Sequence, residues 1–222
     1  MGSRSDILGA LKKARPFVGT MLEDGQGARL FRDFPDEYRL LDHFAERLRS
    51  LMGECYQVSS KVEAVDVLFN LLGDEDRRAV YLECPIVNEL LRASSDLTRR
   101  LTHGAISQNS DISNDLFAQF DVGITGADYL IARTGSVVLR ASTQGGRRIS
   151  ALPSQHIVLA YETQLIASLE DCLADLKVDP AWSSSVIITG PSRSAAIGNA
   201  LVVGAHGATR LAVIVVRGGE GS

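Results

Sequence analysis

Cysteine is scarce in this sequence, and the little there is carries no pattern. Cys55, Cys84 and Cys172 are odd in number, far apart and without CxxC spacing, which gives no support to a disulfide framework, a zinc site or an iron–sulfur cluster. Long apolar runs are also missing: none approaches the ~18 residues of a membrane-spanning helix. The first residues, MGSRSDILGALKKARPF, lack the apolar core of a signal peptide. Their Met-Gly-Ser-Arg-Ser-Asp start departs from a myristoylation signal at its sixth position. A soluble, non-exported protein of a reducing cytoplasm is the expectation. There is no basic excess, since the net charge is -4, and nucleic-acid binding needs a concentrated cationic surface. The pairs Arg77-Arg78 and Arg99-Arg100 read as solvated faces. Walker, GxGxxG and GxSxG signatures are lacking, so neither a dinucleotide site nor a serine nucleophile is indicated.

What is present is a chain of 222 residues with 45% hydrophobic content, enough for a large core and one main domain. The helical spacing of Ile7, Leu8 and Leu11 predicts a short helix, and glycines and charges over 16–34 predict an arm or linker. Tyr38, Leu41, Phe44, Ala45, Leu48 and Leu51 then predict a firmer helix ending at Gly53. Residues 1–52 are therefore read as an N-terminal helical arm and 53–222 as the main domain. From Gly53 the pattern alternates. Strands are expected at 54–58 and 78–83, helices from Ser59 or Ser60 through Leu72 and over 85–92, and an irregular stretch over 94–115. Further strands are expected at 121–125, 137–141, 156–160, 185–189 and 211–216. A loop is expected around Arg147 and Arg148, and an amphipathic helix over 164–176 bearing Leu165, Leu169, Cys172, Leu173 and Leu176. This rhythm predicts an α/β fold with a mainly parallel open sheet flanked by helices.

The candidate site lies where apolar runs break into small polar residues. Thr125-Gly126 and Thr134-Gly135-Ser136 place hydroxyls and unhindered backbone beside strand ends, as an anion pocket requires. Gly190-Pro191-Ser192-Arg193 follows another apolar strand. A helix starting near Ser194 would aim its first N–H groups at an anion there. His206, between small residues and followed by Gly207, and Glu83, at a strand end, are the weak catalytic candidates. No metal site is expected.

The ordered segments DVGITGADYLIARTGSVVL, GGRRISALPSQHIVLAYE, IITGPSRSAAIG and VVGAHGATRLAVIVV, spanning 121–216, resemble the lactate-utilisation protein C family, which carries the LUD domain. The resemblance implies a fold like the sugar-phosphate isomerase and CoA-transferase superfamily. It also implies a part in oxidation of L-lactate to pyruvate beside two partner proteins that carry iron–sulfur clusters; no cofactor is expected in this chain. It singles out Gly123, Thr125, Gly126, Ala127, Asp128, Thr134, Gly135, Pro153, His156, Ile157, Gly190, Pro191, Ser192, Arg193, His206 and Gly207. Here the sequence after Arg193 is Ser194-Ala195-Ala196-Ile197-Gly198, whereas the family usually has Thr-Ala-Asp-Ile-Glu, so two carboxylates are missing. Ala208 replaces the family's Pro and Arg133 its acidic residue before Thr-Gly.

The reading that follows is an accessory component binding a small carboxylate or phosphate through Thr125, Gly126, Thr134, Gly135, Gly190, Ser192, Arg193, His206 and Gly207. Two alternatives stand beside it. One is a stand-alone enzyme acting on a sugar phosphate or acyl-CoA with Glu83 as its carboxylate. The other is a docking module that uses residues 1–52.

Overall fold

The computed structural model describes residues 40–101, 105–106, 119–141, 144–175, 184–195, 201–203 and 207–218. The expected first helix and linker within 1–34, most of the irregular stretch after 101, Leu176 and His206 lie outside the described residues.

Strands β1 (Glu54–Val58), β2 (Ala79–Leu82), β3 (Ala105–Ile106), β4 (Val122–Gly126), β7 (Gln155–Tyr161) and β12 (Arg210–Val216) form one sheet in the order β1-β12-β7-β4-β2-β3. Every neighbouring pair in it is parallel. β7 is buried throughout and β12 from Leu211 onward. They are continuous apolar runs because a central parallel strand is covered on both faces. A second sheet, order β8-β5-β6-β9, contains β5 (Tyr129–Ile131), β6 (Ser136–Ala141), β8 (Leu165–Ile166) and β9 (Ser184–Ile188). β10 (Arg193–Ala195) and β11 (Leu201–Val203) pair as an antiparallel ribbon.

Helices α2 (Lys61–Leu72), α3 (Pro85–Ala93) and α4 (Ser95–Leu101) cover one face of the parallel sheet. Their Leu68, Leu72, Leu90, Leu97 and Leu101 pack with Val122, Ile124, Ile157, Leu159 and Ile214 in a single core. Ser60 starts α2 reciprocally: its Oγ accepts the Glu63 N–H at 3.2 Å, and Glu63 Oε2 accepts the Ser59 N–H at 2.8 Å. Pro85 begins α3, where its missing N–H costs nothing. The opposite face meets α5 (Gln144–Ala151), which also touches β6. Helix α1 (Leu40–Ser50) lies against β1 and β8, burying Leu41, Phe44, Ala45 and Leu48.

The expected strands at 54–58, 78–83, 121–125, 156–160 and 211–216 are present within a residue or two. Other expectations give way. The segment around Arg148 is helix α5 rather than a loop, because tertiary packing of Ile149 outweighs the low helix propensity of Gly145 and Gly146. Residues 95–101 are helical, capped by Ser94 Oγ accepting the Leu97 N–H at 3.1 Å. The helix expected over 164–176 is confined to α6 (Leu169–Asp175); Leu165 is instead in β8, paired with Leu130, and Leu173 is exposed. The strand at 184–188 is the edge of the second sheet, with Ile187 in solvent. The chain after Gly190 enters strand β10 rather than a helix, so among the described residues no helix starts at that turn.

Candidate functional site

In an open parallel sheet the ligand crevice lies beyond the carboxyl ends of two adjacent strands whose connections leave on opposite faces. Here those strands are β2 and β4: β2 leads into α3 on one face, whereas β4 leads through β5 and β6 to α5 on the other. The crevice is filled from within. Cys84 caps α3, and the N–H groups of Ile86, Val87 and Gly126 face its sulfur. A side chain on Gly126 would put its Cβ 2.9 Å from Cys84 Sγ, so Gly126 is glycine to admit the sulfur. Burial raises the Cys84 pKa, and the facing N–H groups only partly oppose that shift. At neutral pH this is a thiol rather than a nucleophilic thiolate.

Beside it, three elements contribute a polar chain that sequence reasoning missed. Tyr161, the last residue of β7, donates its hydroxyl to Glu89 Oε2, and Lys61 Nζ at the start of α2 approaches the same oxygen at 2.6 Å. Burial and then the Glu89 carboxylate push the Tyr161 pKa up, while the bonds from Lys61 and Tyr161 lower that of Glu89. Glu83 is exposed at the end of β2.

Thr125 and Gly126 point to opposite faces of β4. Thr125 is buried with its Oγ1 2.9 Å from His156 Nε2. The imidazole fits because Gly123, its register partner, has no side chain. His156 is fully buried, its Nδ1 has no partner among the described residues, and burial lowers its pKa to about 3. It is therefore a neutral ring at physiological pH.

Several of the other positions singled out lie near one another. Thr134 Oγ1 lies 2.7 Å from Ser136 Oγ, which lies 2.8 Å from Thr189 Oγ1. The two loops singled out in the sequence are thereby joined by three hydroxyls, of which the outer two are exposed and Ser136 is buried. Gly135 and Gly190 adopt φ of 65° and 82°, the left-handed region that favours glycine. Each also touches α1 or the turn after it, since Cβ atoms would stand 2.6 Å from the Leu48 nitrogen and 3.0 Å from Leu51 Cβ. Ser192 donates its N–H to the Ala208 carbonyl at 2.8 Å, and a Cβ on Gly207 would stand 3.1 Å from the Ser192 Cβ. Thr134, Gly135, Gly190, Ser192 and Gly207 are thus linked through these two loops, whereas Thr125 and Gly126 are elsewhere. Arg193 begins β10, its side chain outside the described residues, as is His206. Ser136, already singled out with Thr134-Gly135, and Thr189 complete the group; the signal of Thr189 in sequence was only that it adjoins the Gly-Pro turn.

Among the described residues no group of three or more His, Cys, Asp or Glu side chains could hold a metal ion. No helix among them is long and apolar enough to cross a membrane.

Comparison with known proteins supports this architecture. The chain is 38% identical over 103 residues to a lactate utilization protein C of Halalkalibacterium halodurans, covering 44% of this chain and 45% of that protein. A Bacillus licheniformis lactate utilization protein C is also 38% identical, over 105 residues. The matched stretch is under half the length of these relatives. An uncharacterized Neisseria meningitidis protein, NMB1437, is 25% identical over 97% of this chain and 94% of its own length. The crystal structure of a DUF162 family protein from Deinococcus radiodurans shares the fold, with a TM-score of 0.59 at 19% identity over 82% of this chain and 99% of that one. The LUD domain profile matches residues 41–216, from α1 through the last strand of the parallel sheet. By that match across both sheets, the chain belongs to the LUD domain family.

Proposed function

We propose that this protein is an accessory component of cytoplasmic, iron–sulfur-dependent oxidation of L-lactate to pyruvate, and that it holds a small carboxylate at the hydroxyl chain of Thr134, Ser136 and Thr189. The observation that carries the role is the 38% identity to lactate utilization protein C over 103 residues. Oxidation of lactate releases two electrons, and a chain whose three cysteines lack cluster spacing needs partners whose iron–sulfur clusters accept them.

Three hydroxyls joined by two bonds have one proton to spare, and Thr134 or Thr189, both exposed, can turn it toward a carboxylate. Arg193 directly follows Ser192 and supplies a fork suited to a planar carboxylate. The crevice at β2 and β4 is the less suitable anion site, because the Cys84 sulfur already stands before its N–H groups. Exposed Glu83 beside that crevice is what favours the second reading, an enzyme of the same fold acting on a sugar phosphate or acyl-CoA.

Thermal shift of the purified protein against L-lactate, pyruvate, sugar phosphates and CoA esters separates the two. Lactate or pyruvate should raise the midpoint saturably, and Arg193→Ala should weaken binding about tenfold or more, the worth of a charge-assisted bond. Unchanged affinity in both Arg193→Ala and Thr189→Val would remove this site. Stabilisation by sugar phosphates or CoA esters alone would transfer the argument to the enzyme.

A further inference from the structure

The two arginine pairs that read as solvated faces meet in space. Arg77 and Arg78, just before β2, and Arg99 and Arg100, at the end of α4, line a cleft of about 450 Å³ together with Phe69, Glu75, Asp96 and Phe120. The cleft lies at the amino end of β2, the opposite end from Cys84.

The pairing of these cations is unusual. Among the described residues, only Arg99 has a carboxylate within salt-bridge distance, Asp96 Oδ1 at 2.6 Å. Arg77 donates from Nη1 to the Leu71 and Leu72 carbonyls at 3.4 and 3.3 Å, and from Nη2 to Gln155 Oε1 at 2.9 Å. Arg100 Nη2 donates to the carbonyls of Asp74 and Arg77 at 2.8 and 2.7 Å. Arg78 Nη1 donates to Gln119 Oε1 at 2.7 Å, and its guanidinium lies 5.1 Å from the centre of the Phe120 ring. Asp121 spends one carboxylate oxygen on the backbone N–H of Arg78. Three guanidiniums are therefore fixed by neutral acceptors, which orient them without cancelling their charge. Guanidiniums held this way are pre-organised for bidentate bonds to phosphate oxygens. The volume suits a small molecule, and the guanidinium of Arg78, backed by Phe120, offers a flat surface on which an aromatic ring can stack.

We propose that this cleft binds a nucleotide, with its phosphates on the pre-organised Arg100 and on Arg99, which exchanges its exposed pair with Asp96 for them, and its base on the Arg78–Phe120 stack. The site is separate from the hydroxyl chain and does not depend on its ligand.

Isothermal titration of the full chain with ADP, AMP and pyrophosphate tests it, using Arg78→Ala and Arg99→Ala because both side chains are exposed and neither bonds to a helix carbonyl. ADP should bind saturably, more tightly than AMP, and each substitution should weaken it about tenfold or more with the thermal midpoint unchanged. No binding of ADP at millimolar concentration overturns the proposal, as does affinity indifferent to both substitutions. Pyrophosphate binding as tight as that of ADP overturns the assignment of the base to Arg78 and Phe120.

Discussion

The two faces of the parallel sheet are covered by different means. Toward α2, α3 and α4 the strands present Val122, Ile124, Ile157, Leu159 and Ile214, and the gap is filled by side-chain volume. Toward α5 they present Gly123, Thr125 and His156, and the gap is closed by backbone coming close to backbone. A face filled by volume tolerates exchange of one apolar shape for another. A face closed by contact tolerates no added atom, and a titratable group buried there, such as His156, stays neutral.

The sharpest test of that contrast is Gly123→Ala. Its Cβ would lie 2.1 Å from the Ile149 carbonyl oxygen and 3.1 Å from Pro153 Cγ, so α5 must leave the sheet. The expected loss exceeds about 3 kcal/mol in urea denaturation. On the other face Ile124→Val should cost only about 0.5–1.5 kcal/mol. Equal losses would end the distinction between the faces.

A smaller effect is expected from pH. His156 has a folded pKa of about 3, below the 6.5 of an unperturbed imidazole. Below pH 6.5 the unfolded chain takes up a proton that the native protein refuses. Stability should therefore fall as pH drops from 6.5 toward 3, by up to about 1.4 kcal/mol per pH unit from this group. Chemical denaturation between pH 7 and 5 should show that slope in the wild type and a shallower one in His156→Asn. Identical slopes would mean that the ring is not held neutral.

The least effect is expected at Lys61, which is half-exposed beside Glu89. Lys61→Met should change stability by less than about 1 kcal/mol, while the ultraviolet titration of Tyr161 moves because its partner carboxylate loses a cation.

The apolar strands were legible because burial on both faces leaves little room for other residue types. Helix α5 was hidden because Gly145, Gly146 and Pro153 carry turn signals, whereas what makes the segment helical is Ile149 reaching Val80 across the chain. The turn at Gly190 was legible, but not its continuation: Ser194 can cap a helix or sit in a strand, and its pairing with Val202 in β11 decides. Within the candidate site, Thr134, Gly135 and Gly190 stood out because glycine beside a hydroxyl is a local signal. The group of Lys61, Glu89 and Tyr161 did not, since its members come from three elements and only the fold places them together. The arginine cleft was hidden for the same reason.

The strand order also governs how the protein is made. β1 is the first strand of the parallel sheet in sequence, yet among the described residues its one sheet partner is β12, the last. During synthesis β1 emerges with an open edge and waits, at about 5–20 residues per second, until residues 210–216 clear the ribosome. Such a non-local closure is slow to form and leaves unpaired strand exposed meanwhile. Chains cut short anywhere before β12 therefore lose more than a terminal strand: they separate β1 from the rest of the sheet, and aggregation of truncated products is the expected outcome.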